Sequence, residues 1–186
     1  MSDPLREALD TCEWIDRDSP LVEEFDRRLQ ECNMKLQCYN STVMTYDEMR
    51  AAMEDITGQK MDEHTSVVFP LRCDLGFNIH IGKDVLINYN CTFLDTASIT
   101  IGDNCKIGPD CHLVTAIHPK DMEGRRRHMV KGAPISIGND CWLGANVTVL
   151  PGIRIGNNCV IGAGSVVTKD VPDDSIWAGN PAHPIH

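Results

Sequence analysis

Apolar residues along most of this chain recur every six positions. Ile81, Ile87 and Phe93 stand six apart, and so do Ile101, Ile107 and Leu113. Ile137, Leu143, Val149, Ile155, Ile161 and Val167 form an unbroken run. Glycine follows many of them, as at Gly82, Gly102, Gly108, Gly138, Gly144, Gly156 and Gly162. Four positions after the aliphatic residue stands a small or branched one: Val85, Cys91, Cys105, Cys111, Cys141, Val147, Ile153, Cys159, Ser165 or Val171. An amphipathic helix repeats at about 3.6 residues and a half-buried strand at about 2, so neither accounts for this period. Such short repeats predict a parallel β-helix, in which one coil cannot bury its own apolar face and must stack on the next.

The repeat breaks twice. Phe93 and Ile101 are eight apart, which predicts a two-residue insertion around Asp95, Thr96 and Ala97. Between Leu113 and Ile137 the in-register positions are Pro119, Arg125 and Lys131. Those residues cannot fill a dry core. Residues 116–133 are therefore expected to leave the coil as an extruded loop carrying His118 and Arg125-Arg126-Arg127. Long loops on rigid scaffolds tend to carry function.

The first 65 residues follow a helical period instead. Leu21, Phe25, Leu29, Cys32, Leu36 and Tyr39 make one stripe, with Ser19-Pro20 as the expected cap and first turn and Asn40 near the end. Thr45-Tyr46-Asp47-Glu48 is a capping box, and Met49, Met53 and Ile56 follow on one face until Gly58. A short helix is expected around Pro4 to Cys12. The chain thus divides into a helical segment, residues 1–65, and a β-helix domain, residues 66–186.

Charge follows the same division. The 186 residues carry a formal net charge of −10. Residues 1–65 hold 16 Asp and Glu against 7 Lys and Arg, and residues 66–186 hold 11 against 10. The overall sign argues against nucleic acid as a partner. The acidic first 30 residues do not fit a signal peptide, and no apolar run is long enough for a membrane span. A cytoplasmic protein is expected. Nine cysteines, an odd number with no CxxC pair, argue against a disulfide framework and a zinc site. Cys91, Cys105, Cys111, Cys141 and Cys159 fall on the small inward position and are expected to fill the core.

Several motifs resemble the maltose/galactoside O-acetyltransferases. They are the hexapeptide array, Thr115-Ala116-Ile117-His118-Pro119, and the stretch from Gly162 to Pro172. Arg72-Cys73-Asp74 and Trp177-Ala178-Gly179-Asn180-Pro181-Ala182 belong to the same likeness, which is close over residues 68–186 and looser before them. The resemblance implies a mainly β fold, a left-handed parallel β-helix assembled as a homotrimer, with sites between subunits. It also implies transfer of an acetyl group from acetyl-CoA to a hydroxyl of a sugar-like acceptor, with no metal.

An alcohol is a weak nucleophile at neutral pH, so attack on a thioester needs a base for its proton and a donor for the oxyanion. Histidine titrates in the right range. By the resemblance His118 is that base, with Asn88 as a second catalytic residue. Asp74, Asn88 and Asp95 match acceptor-side positions, and Asp16 is a further candidate from the helical segment. Trp142, Ala145, Ala163, Thr168 and Lys169 match the donor side. His183 stands where the family often has arginine, which it replaces without the forked permanent charge. The loop also lacks an acidic residue near position 130, which leaves open a different acceptor, an anionic hydroxyl compound or an amine, with the arginines as its contact.

Two rival readings use the same coil. One is a carbonic-anhydrase-like metal enzyme with His80, His112 and His118 as ligands. The other is a non-catalytic trimeric scaffold.

Overall fold

The computed structural model describes residues 3–185; Met1, Ser2 and His186, the outer ends of the two expected segments, lie outside the described residues. Beyond the helices the chain winds into a parallel β-helix with three faces. The first face has seven strands: Ser66–Val67, Leu86–Ile87, Lys106–Ile107, Trp142–Leu143, Val160–Ile161, Ile176–Ala178 and His183–Pro184. Only its last pairing is antiparallel. The second face stacks Leu71–Cys73, Cys91–Leu94, His112–Val114, Thr148–Val149 and Val166–Val167. The third stacks Ile79–Ile81, Ile99–Ile101, Ile135–Ile137 and Arg154–Ile155.

Register follows the repeat. Trp142 pairs with Val160 and Thr148 with Val166, both 18 residues on, or three hexapeptides. In the lower coils the offset is 20, as for Leu71 with Cys91 and Ile79 with Ile99. It is 36 across the extruded segment, from His112 to Thr148. All the extra residues leave at one edge, between the second and third faces. The six-residue aliphatics from Ile87 onward are buried, and the five inward cysteines are at most 1% exposed. Their thiols donate to carbonyls of the next coil, for example Cys105 to Gly138 at 3.0 Å and Cys111 to Gly144 at 3.1 Å. A small side chain with a weak donor thus fits beside a corner where the ladder is interrupted.

The edge between the third and first faces is a ladder of Asp and Asn. Asp103 Oδ1 accepts from Lys83 N, Asn139 Oδ1 from Asp103 N, Asn157 Oδ1 from Asn139 N, and Asp173 Oδ1 from Asn157 N. The residue after each of these five, from Asp84 to Asp174, sits at φ between 50 and 59. Asp and Asn are the side chains that tolerate this left-handed conformation and bond locally there.

Three helices precede the coil: α1, Pro4–Asp10; α2, Val22–Asn40; and α3, Tyr46–Thr57. The Thr45–Glu48 capping box opens α3 and Gly58 closes it at φ 70. Helix α2 begins slightly later than expected, at Val22, although Ser19 Oγ still accepts from Leu21 N. Cys32, Leu36, Met53 and Ile56 join the coil's own core, so α2 and α3 cover its lower end. A second apolar cluster, with Leu5, Leu9, Ile15 and Leu75 at its centre, sits beside it.

Candidate active site

The extruded segment is an ordered hairpin. Ala116–Ile117 and Lys131–Gly132 pair antiparallel, and a short helix α4, Met122–Arg126, forms the tip. Its root is tied by Thr115, whose hydroxyl donates to Leu94 O at 2.6 Å and accepts from Ala97 N at 2.8 Å. His118 follows the outgoing arm and is exposed. Its Nδ1 lies 2.9 Å from the carbonyl of Met129 on the returning arm. A carbonyl only accepts, so Nδ1 carries a proton, and in the neutral ring Nε2 then holds the lone pair for a substrate.

Asp74 and Asp95 stand at the same edge, on the coils below. Asp95 is completely buried. Its Oδ1 accepts from Asp74 N at 3.0 Å and Leu75 N at 2.8 Å, while Oδ2 accepts from Asn78 N at 3.4 Å. The sequence places Asp95 on the acceptor side, and here the structure differs. With no surface left for a ligand, Asp95 holds the turn that carries Asp74. The inserted residues of that turn leave backbone N–H groups without ladder partners, and the carboxylate satisfies them. Burial, with the Asp74 charge adding to it against the backbone bonds, pushes the Asp95 carboxyl up to about 7. Burial also raises Asp74. Asp74 keeps some exposure and lines a cleft of about 570 Å³ with Asn33, Gln37, Asn40, Arg72 and Thr92. Thr168 and Lys169 follow the strand Val166–Val167 at this same edge, on the coils above the hairpin.

The other candidates gather on the edge between the first and second faces. Asn88 is half-buried there and occupies the place that Gly108, Gly144 and Gly162 take in higher coils. Ala145 and Ala163 are exposed, one coil apart, with Gly164 N bonded to Ala145 O at 2.9 Å. A Cβ on Gly144 would meet Ala163 N at 2.7 Å, so the coils touch closely at this corner. His183 pairs with Ala178 at the top of the column. Trp142 is 57% exposed on the first face, between Lys106 and Val160.

Within one chain, then, the candidates form two groups. His118, Asp74, Thr168 and Lys169 lie along one edge, and Asn88, Ala145, Ala163 and His183 along another. A strand such as Cys91–Leu94 separates the edges by about 10 Å. The three histidines of the metal reading also lie apart. His80 is on the third face beside Gln59 Nε2 at 2.7 Å, His112 is on the second face, and His118 is on the hairpin. Among the described residues no three His, Cys, Asp or Glu side chains are arranged to hold a metal ion.

The family described as "Hexapeptide repeat of succinyl-transferase" matches residues 78–109 and 134–169, the coil on either side of the hairpin. The fold superposes on a maltose O-acetyltransferase from Clostridium difficile 630 with a TM-score of 0.88 and 35% identity, covering 97% of this chain and 95% of that one. The chain belongs to the hexapeptide-repeat acetyltransferases. A galactoside acetyltransferase solved in complex with coenzyme A gives a TM-score of 0.87 at 32% identity, covering 100% of this chain and 91% of that one. A Schizosaccharomyces pombe protein provisionally named an acetyltransferase is 52% identical over 116 residues, which span 62% of this chain and 56% of the relative.

In this acetyltransferase two of the three arginines of the hairpin are already engaged. Arg125 Nη1 donates to Pro119 O at 3.0 Å and to Lys120 O. Arg127 is ion-paired with Asp16 and lies 3.5 Å from Asp18. Only Arg126 has no polar partner among the described residues. The acidic segment before α2 thus reaches the hairpin directly, through Ile15 paired with Val130 as well. The hydrophobic pattern missed this, because residues 13–18 follow no period. No helix among the described residues is long and apolar enough to cross a membrane.

Proposed function

We propose that this acetyltransferase moves the acetyl group of acetyl-CoA to a hydroxyl of a sugar-like acceptor, with His118 as general base. The hydrogen bond from His118 Nδ1 to the Met129 carbonyl carries this reading, because in the neutral ring it leaves Nε2 as the base at the surface of an ordered hairpin. Nε2 takes the hydroxyl proton as the acceptor oxygen attacks the thioester carbonyl. The tetrahedral intermediate then collapses, the C–S bond breaks, and the proton passes from Nε2 to the departing thiolate. Asn88 serves as a donor toward the oxyanion, because its Nδ2 has no partner among the described residues while its Oδ1 accepts from Tyr89 N at 2.9 Å. Asp74 faces the acceptor, and Ala145 and Ala163 leave room for the pantetheine arm. Thr168, Lys169, His183 and Trp142 complete the donor side, Lys169 as a point charge for phosphate.

The two groups stand on different edges, so one chain holds half of each site. A homotrimer supplies the other half when the His118 edge of one copy faces the Asn88 edge of its neighbour. The exposed Trp142 then lies toward that seam. Occupation of Arg125 and Arg127 within the chain favours a neutral, hydroxylated acceptor over an anionic one.

The test is thiol release from acetyl-CoA with and without a panel of sugars. Sugar-dependent release is expected, falling at least about 100-fold in His118→Ala, in line with loss of a general base. Near-normal release by a folded His118→Ala trimer would refute the assignment.

A further inference from the structure

We infer that the N-terminal strap, residues 14–18, positions the catalytic base, with Asp16 and Arg127 as the pair that holds it in place. The inference rests on the reading of His118 as that base. Among the described residues His118 has one hydrogen-bond partner, the Met129 carbonyl, so whatever fixes Met129 fixes the ring. The hairpin holds Met129 at its tip through one bond, from Met129 N to Gly124 O at 3.1 Å, and leaves the returning arm beyond it weakly tied. Its ladder has two residue pairs, Lys131 with Ile117 and Gly132 with Ala116. A two-stranded ribbon of that length is marginal in water.

The strap supplies the rest on the residues flanking Met129. Ile15 N donates to Val130 O and Val130 N donates to Ile15 O, both at 2.8 Å. Arg17 N donates to Arg127 O at 3.2 Å. The Arg127 guanidinium bonds Asp16 Oδ2, and Asp16 Oδ1 accepts from Asp18 N at 3.0 Å. Lys131 Nζ lies 4.9 Å from the centre of the Trp14 ring. Ile15 is 2% exposed, in the cluster with Leu5, Leu9 and Leu75 against which Val130 packs. The returning arm of the hairpin is therefore built into the core of the helical segment. A base displaced by about 1 Å loses much of its rate, which gives this remote contact a kinetic consequence. The Asp16 side chain is 18% exposed and both oxygens have partners within the chain, as a positioning role requires.

The experiment uses Asp16→Asn, Arg127→Gln and Arg127→Lys in the full chain, each checked for its thermal midpoint. Steady-state kinetics are combined with ¹⁵N NMR of the imidazole, which reports which nitrogen of His118 carries the proton. Asp16→Asn and Arg127→Gln are expected to lower kcat about 10-fold with KM for acetyl-CoA unchanged. The ring should shift from protonation at Nδ1 to a mixture of tautomers. Arg127→Lys, which keeps the charge, should recover most of both. Unchanged kcat and tautomer in Asp16→Asn and Arg127→Gln would overturn the inference. So would a rise in acceptor KM alone with the tautomer unmoved, which would make Asp16 an acceptor contact. His118→Ala separates the two levels. Full activity there refutes the base, whereas the imidazole signal of the strap variants still reports whether the strap orients the ring.

Discussion

Two glycines of the β-helix exist for different reasons, and substituting them should give opposite results. A methyl group on Gly144 would sit 2.7 Å from Ala163 N, 3.0 Å from Ala163 Cα and 3.2 Å from Ala163 Cβ. Two of these atoms are backbone of the next coil. They are held there by Gly144 N to Ile161 O at 2.8 Å and Gly164 N to Ala145 O at 2.9 Å. Ordinary contact begins near 3.5 Å, so the coils must part by roughly 0.8 Å at this edge. Overpacking of this kind costs about 1–3 kcal/mol, and weakening a ladder bond adds up to about 1 kcal/mol. Gly144→Ala is expected to destabilise by about 2–3 kcal/mol. Gly164, by contrast, has open space where its Cβ would be and sits at φ 71. One coil earlier Asn146 holds the same corner at φ 57. Gly164→Asn should therefore change stability by less than about 0.5 kcal/mol, with a gain from the stiffer unfolded chain. Urea unfolding at one fixed protein concentration measures both, as shifts of midpoint at constant slope. Equal costs for the two variants, or a change below about 0.5 kcal/mol for Gly144→Ala, would refute the close-approach account.

The buried Asp95 makes stability depend on pH. Its folded value of about 7 lies above its unfolded 3.8, so the folded chain binds the extra proton between them. Stability from this group is complete below pH 3.8 and is lost as pH rises to 7, by about 4 kcal/mol at about 1.4 kcal/mol per unit. Asp95→Asn keeps an acceptor for Leu75 N and should flatten the pH dependence of the urea midpoint between pH 5 and 7; identical slopes would contradict this. Thr115→Val preserves shape but leaves the buried Ala97 N without its 2.8 Å partner. It should cost about 1–3 kcal/mol in the same titration, and a loss below 0.5 kcal/mol would exclude the hydroxyl as the root of the hairpin.

Much of the architecture could be read from the chain because its causes are local and periodic. The six-residue register located the inward aliphatics and turned five cysteines into core side chains. The Pro119, Arg125 and Lys131 triplet at core positions marked the hairpin. The capping box at Thr45 and the stripe through α2 marked the helices. Residue roles were less legible. Asp95 reads as a polar turn residue, yet its oxygens serve three backbone N–H groups brought together by an insertion in the coil below. Asp16 and Arg127 are 111 positions apart, and nothing in either neighbourhood announces the pair.

The sequence by itself determined the repeat, the break where the chain leaves the coil and the histidine at that break. These depend on side-chain type at fixed spacing, which any short segment displays. Only the tertiary structure decided which edge each residue occupies. Extra residues of successive coils all emerge at one edge, because the other two are closed by an Asp and Asn ladder and by glycines in contact with the next coil. That stacking puts His118 above Asp74 and sets Asn88 a strand's width away. It also gives the acidic N-terminal segment its contact with the hairpin, through backbone pairing and an ion pair that depend on the folded coil.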